Sequence, residues 1–187
     1  MARVTAGMTM SLDGFVSDPH DNAGRLYPDF AELQDSDYMH AIIEKTGAVI
    51  MGRRSFDMAG DTDSYADSYE FQVPIFVVTH HPPETMPRQN ENLTFTFVTD
   101  GIESAVAQAK AAAGDRVVTV VGGARLIQEM LLAGLVDELW VDIMPVFLGT
   151  GIRHFDDRAL ERVKIETLDV QEVGQRIATR FRVLKDI

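Results

Sequence analysis

The sequence predicts a three-layer α/β/α domain over residues 1–187, with a mostly parallel central sheet and antiparallel strands at its C-terminal end. Three observations carry the prediction. Val117-Val118-Thr119-Val120-Val121 is an unbroken β-branched run, and a strand with one wet face would alternate apolar with polar, so this strand is covered on both sides. It stops at Gly122-Gly123, and Leu126, Ile127, Met130 and Leu131 then fall at helical spacing up to Gly134, where a glycine commonly ends a helix. Strand and helix patterns alternate in this way through the first three quarters of the chain, which calls for parallel pairing through right-handed crossovers. The tail differs: Arg176 to Val183 alternates every second residue, the mark of a strand with one wet face.

Taken in order, Val4 to Met10 is a first strand, followed by Ser11-Leu12-Asp13-Gly14-Phe15-Val16-Ser17 and a polar segment from Asp18 to Arg25. So long a loop is either a lid over a ligand or a surface excursion. Phe30, Leu33, Met39, Ile42 and Ile43 give a helix over Asp29 to Thr46, irregular near Asp35 and closed by Gly47. Ala48 to Met51 is a second strand running into Gly52-Arg53-Arg54-Ser55-Phe56, where a helix begins. Pro74 to Thr79 is a third strand, broken by His80-His81-Pro82-Pro83. Leu93 to Thr99 is a fourth. Asp100 then caps a helix with Glu103 three residues on, running to Gly114. After the central strand and helix, Leu139 to Phe147 is a strand stopped by Pro145, and Leu148-Gly149-Thr150-Gly151 turns the chain. Val163 to Glu166 and Arg176 to Val183 pair antiparallel through a turn near Gly174.

Composition narrows the function. With 187 residues and 45% apolar content the chain supports one sizeable core. The absence of cysteine excludes a disulfide framework, a thiolate zinc site and a cysteine nucleophile. The acidic stretch Asp57 to Gln72 lacks calcium-loop spacing, so no metal is expected. The N-terminal residues show no signal-peptide core and no window approaches a membrane span, so the expected location is the cytoplasm. The net charge of −12, from 17 basic and 29 acidic residues, repels phosphate backbones and disfavours nucleic acid as a partner. A small anionic cofactor would need local arginines against that mean field.

Two places offer them. A strand that feeds a helix through glycine lets backbone approach a ligand, and the free amides of the first helical turn face it with partial positive charge. Gly122-Gly123 is such a place, or simply a tight βα turn. At Gly52, Arg53 and Arg54 could each fork onto a phosphate with Ser55 on the same oxygens, or the pair is merely solvated.

Four separated pieces, Ser11 to Gly14, Met51 to Phe56, Gly122 to Ala124, and Gly134 to Leu139 with Pro145 to Gly149, together resemble the dihydrofolate reductase superfamily. They are most similar to the reductase domain that forms the C-terminal half of bifunctional riboflavin biosynthesis proteins. The resemblance implies an NADPH-dependent reductase that transfers a hydride to a pyrimidine- or pteridine-like small molecule, similar to a 5-amino-6-(5-phosphoribosylamino)uracil reductase. On it, Gly52, Arg53, Arg54 and Ser55 hold the adenosine 2′-phosphate, and Thr79 lies beside the adenine. Val121, Gly122, Gly123, Ala124, Arg125 and Leu126 form the turn over the pyrophosphate, with a cis peptide between the glycines. Met10, Leu12 and Gly14 belong to the loop over the nicotinamide. Asp13, in that loop, is the nearest acid; it donates the proton or, the favoured reading, holds the loop through backbone amides. Folate reductases carry a substrate-binding carboxylate on the first helix, where Glu32, Asp35 and Asp37 stand without a means of choosing. Asp37 and Phe147 are the substrate candidates. A homodimer is implied. The competing reading is a non-catalytic NADPH sensor.

Overall fold

The structure, a computed structural model, describes residues 2–185. Its sheet has six parallel strands: β1 (Val4–Ser11), β3 (Thr46–Gly52), β4 (Ile75–Val78), β5 (Phe95–Val98), β6 (Val117–Gly122) and β7 (Glu138–Met144). β9 (Lys164–Val173) and β10 (Arg176–Leu184) complete it as an antiparallel pair, while β2 (Phe15–Ser17) pairs separately with β8 (Ile152–Arg153). The order is β5-β4-β3-β6-β1-β7-β10-β9, which puts the strands before the two glycine turns, β3 and β6, side by side at the centre. Helices α1 (Phe30–Gln34), α2 (Asp37–Lys45), α3 (Arg53–Asp57), α4 (Tyr65–Ser68), α5 (Ile102–Ala113) and α6 (Ala124–Leu132) cover both faces. The fold class is the expected one.

Alternation of side chains along a strand explains the double burial of the centre. On β3, Ala48 and Ile50 enter the core under α5 and α6, while Val49 and Met51 enter a second core with Phe56, Tyr65 and Phe95. β6 does the same with Val118 and Val120 on the first side, and Val121 packs on the second. The one hydroxyl in that run is satisfied, Thr119 pairing with Thr46 at 2.8 Å. Helix α5 approaches closely because its buried face is Ala105, Ala109 and Ala113 with Val106 as the one larger residue. A Cβ on Gly47 would stand 2.7 Å from the Ala113 carbonyl oxygen.

The helix expected over Asp29 to Thr46 is two. Ser36 restarts it, its hydroxyl accepting from the Met39 amide at 3.1 Å, and Thr46 and Gly47 already belong to β3. Asp100 does not cap α5; Gly101, at φ 107°, holds the N-cap position without a side-chain bond. The tail strands run longer than their patterns, through a turn at Gly174 with φ 60°. β9 is exposed along nearly its whole length rather than on one face, because it is the open edge of the sheet.

Candidate active site

β3 and β6 are neighbours in parallel register, Met51 opposite Gly122, so the turns that follow them emerge at the same rim of the sheet. They touch. A Cβ on Gly122, where φ is 134°, would stand 3.2 Å from the Ser55 hydroxyl and 3.3 Å from Met8. One on Gly52 would stand 3.5 Å from the Gly123 amide nitrogen. The Gly122-Gly123 peptide is cis, as the resemblance implies.

Two guanidinium groups mark the rim, and both are aimed at anions. Arg53 Nε donates to both carboxylate oxygens of Asp57 at 2.9 Å, and its NH1 donates to the His81 carbonyl. Thr79 braces that corner, its hydroxyl donating to the same carbonyl at 3.1 Å. Arg54 forks onto Asp21 of the loop after β2, with bonds of 2.7 and 3.2 Å to Oδ2. Arg125 reaches outward and pairs with Glu129 at 3.0 Å.

A cavity of about 1130 Å³ opens below. Of the rim residues expected from sequence, Gly52, Arg53, Arg54, Ser55, Thr79, Val121, Gly123, Ala124, Arg125 and Leu126 line it. Gly122 sits behind them against Ser55. Met10, Leu12 and Gly14 do not line it. Met10 packs toward the α5 and α6 core, and Leu12 is exposed; the loop's contribution comes instead from Val16, Ser17, Asp21 and Ala23.

Asp13 ties two loops together. It accepts from the Ser11 hydroxyl at 2.6 Å and from the amides of Leu148 and Gly149 at 3.1 and 2.7 Å. The Ser11 bond, with the amides, lowers its pKa to about 2 against the partial burial that opposes it. A carboxylate so held is a poor acid. Asp37 is exposed at the start of α2 and Phe147 is exposed beyond β7, neither of them on the cavity. Glu32 and Asp35 are exposed as well.

The floor is made by residues that motif reading passed over. Asp142 of β7, register partner of Thr9, is 3% exposed, and its Oδ1 accepts from the Tyr38 hydroxyl at 2.8 Å. Burial raises its pKa to about 6, although the Tyr38 bond and nearby Arg176 pull the other way. Burial and the Asp142 charge push the Tyr38 phenol far up, so it stays neutral and donates. Behind Thr9, the buried Arg176 guanidinium bonds Asp29 Oδ1 at 2.5 Å and lies 5.6 Å from the Tyr27 ring centre. Trp140 packs over Gly7, where a Cβ would fall 1.9 Å from the Trp140 carbonyl oxygen. One signal for the floor was present: Asp142 is a lone acid inside the apolar run Leu139 to Met144, and a buried charge needs a reason.

At this rim two glycine turns meet, Ala124 and Arg125 at the head of α6 line the cavity, and Arg53 and Arg54 flank them. Comparison with known proteins places the chain among reductase-like folds. The model of the RibD C-terminal domain matches residues 2–179. The uncharacterized protein YyaP of Bacillus subtilis is 24% identical over 172 residues, 90% of this chain and 88% of its own. A putative riboflavin biosynthesis protein from Shewanella superposes with a TM-score of 0.77 at 20% identity, covering 99% of this chain and 100% of that one. The Thermotoga maritima diaminohydroxyphosphoribosylaminopyrimidine deaminase/5-amino-6-(5-phosphoribosylamino)uracil reductase gives 0.67 at 14% identity; 98% of this chain spans 57% of that one. Dihydrofolate reductase from Enterococcus faecalis, complexed with NADP(H), gives 0.63 at 12%, covering 98% and 97%.

Proposed function

The chain belongs to the RibD C-terminal domain family, and from that premise we propose that it is an NADPH-dependent reductase delivering a hydride to a C=N bond of a pyrimidine- or pteridine-like heterocycle. The observation that carries the reading is the contact between the two glycine turns, Ser55 against Gly122 and Gly123, at the mouth of a cavity that runs to a buried acid. The NADP(H) of the Enterococcus neighbour supports the choice of cofactor.

The nicotinamide, when bound, supplies the two electrons and one hydrogen as hydride; the nitrogen of the reduced bond then needs one proton. Arg53 and Arg54 hold the 2′-phosphate, which is why NADPH is preferred over NADH. The amides of Ala124 and Arg125 at the head of α6 take the pyrophosphate, with Ser55 beside them, and Thr79 bounds the adenine side. Asp142 supplies the proton. Because Oδ1 accepts from Tyr38, the acid proton rides on the other oxygen, and a pKa of about 6 leaves roughly a tenth of the groups protonated at neutral pH. Asp13 remains a carboxylate and fixes the loop.

The reading includes a homodimer formed at the open sheet edge, where Ile165, Leu168 and Val170 of β9 stand exposed; light scattering should return twice the chain mass. The direct test of the cofactor is a pair of titrations. NADPH should bind at least tenfold more tightly than NADH, and loss of reduced-nicotinamide absorbance with aminopyrimidines, pterins or flavins should follow. NADPH binding without any oxidation would favour the sensor reading, and no NADPH binding would sink both.

A further inference from the structure

The cations of the cavity are segregated. Arg53, Arg54 and Arg125, with His80, all belong to the rim segments after β3, β4 and β6. Two acids of the lining, Asp21 and Glu129, are paired with Arg54 and Arg125 at that rim; away from it, among the described residues, the charged groups on the wall are two more acids, Asp142 and Glu70. They line the same cavity, together with Tyr27, Tyr65 and Tyr69. The remainder of that end is aromatic and thioether surface, with Phe30, Tyr38, Met39 and Trp140 around the acids. Arg176 does not relieve the imbalance, since it is fully buried behind Thr9 and bonded to Asp29.

A phosphate entering this end would lose water and meet carboxyl groups instead of guanidinium forks, and like charges set against each other in a partly dry site exclude a ligand. Flat aromatic walls and acceptor oxygens suit the opposite kind of molecule. The geometry points to a substrate that is an unphosphorylated, planar, nitrogen-rich heterocycle, neutral or cationic, whose N–H groups are received by Asp142 and Glu70. The inference rests on the reductase reading and narrows it. The Thermotoga neighbour is by its name a reductase of a phosphoribosyl compound; this chain takes a ligand without that phosphate.

The probes are 5-amino-6-(5-phosphoribosylamino)uracil and the same compound after phosphatase treatment, titrated calorimetrically into the full chain with and without saturating NADPH. The dephosphorylated probe should bind at least tenfold more tightly in both states. Glu70→Gln should narrow the gap and Glu70→Lys should close or reverse it, while NADPH affinity stays within about twofold. Equal affinity, tighter binding of the phosphorylated probe, or no binding of either overturns the inference. Failure of NADPH to bind is read separately and counts against the reductase reading alone, because the probe comparison is also made without cofactor.

Discussion

The rim and the floor of the cavity are assembled from the chain in opposite ways. Each half of the rim is contiguous: Gly52 to Ser55 follows one strand and Gly122 to Leu126 another, so each can be recognised as a short motif. The floor gathers Thr9, Tyr27, Tyr38, Asp142 and Arg176, and no two of these that touch are neighbours in sequence. The rim is also wet, with Arg54 69% exposed on its side chain, whereas Asp142 and Arg176 are buried. The difference teaches where specificity and chemistry reside. A wet, cationic rim can hold an anionic group at little cost, and a dry floor shifts a pKa at a cost in stability.

The largest effect should come from breaking the floor. Asp142→Asn removes the proposed proton donor and should lower kcat by about 100-fold or more while NADPH affinity is retained. In the wild type the rate should fall as pH rises through about 6, and the variant should lose that limb. The same residue makes a stability prediction. Its folded pKa, about 6, lies above the ordinary 3.8, so the unfolded chain releases the proton first as pH rises. The contribution of Asp142 to stability should therefore drop by roughly 3 kcal/mol across that window and level off above it. Denaturant melts at a series of pH values should show it in the difference between the wild type and Asp142→Asn, because buried His154, whose pKa is lowered to about 4, makes both chains gain stability over the same window and cancels in that difference.

Breaking the rim should cost binding and leave the chemistry alone. Arg53→Ala with Arg54→Ala should weaken NADPH by about 10- to 100-fold, as expected for losing charge-assisted bonds in a screened site, with NADH nearly unaffected. A loss shared equally by both nucleotides would remove the arginines from the 2′-phosphate. Tyr38→Phe is gentler and sharpens the floor. The Tyr38 bond lowers the Asp142 pKa, so the falling, high-pH limb of the rate profile should move to higher pH, with kcat changing only a few-fold. The smallest effect is expected at Asp21, whose carboxylate occupies Arg54 and competes with an incoming phosphate. Asp21→Ala should tighten NADPH by about two- to fivefold at low salt, the range of one exposed ion pair.

The same contrast decides how much was legible in the sequence. Periodicity is local, so the strands, the two glycine turns and the antiparallel tail could be read from it. Hydrogen-bond choices at helix ends are less so: Ser36 restarted a helix and Gly101 took a cap that the spacing of Asp100 and Glu103 favoured. Of the loop after β1, the later part, with Val16, Ser17, Asp21 and Ala23, lines the cavity, because Ser11, Asp13 and the amides of Leu148 and Gly149 tie down its first turn. A helix turns about 100° per residue, so Asp37 is exposed while the next residue, Tyr38, lines the cavity and bonds Asp142. The pairing of Tyr38 with Asp142, 104 residues apart, has no local signature beyond an acid in an apolar strand.

The proposed activity requires that the two turns grip one ligand. The most direct measurement is a crystal structure of the chain soaked with NADPH. The 2′-phosphate should lie on Arg53 and Arg54, the pyrophosphate over Gly122 to Arg125, and the nicotinamide should point toward Asp142. A nucleotide bound elsewhere, or with its 2′-phosphate turned away from both arginines, would contradict it.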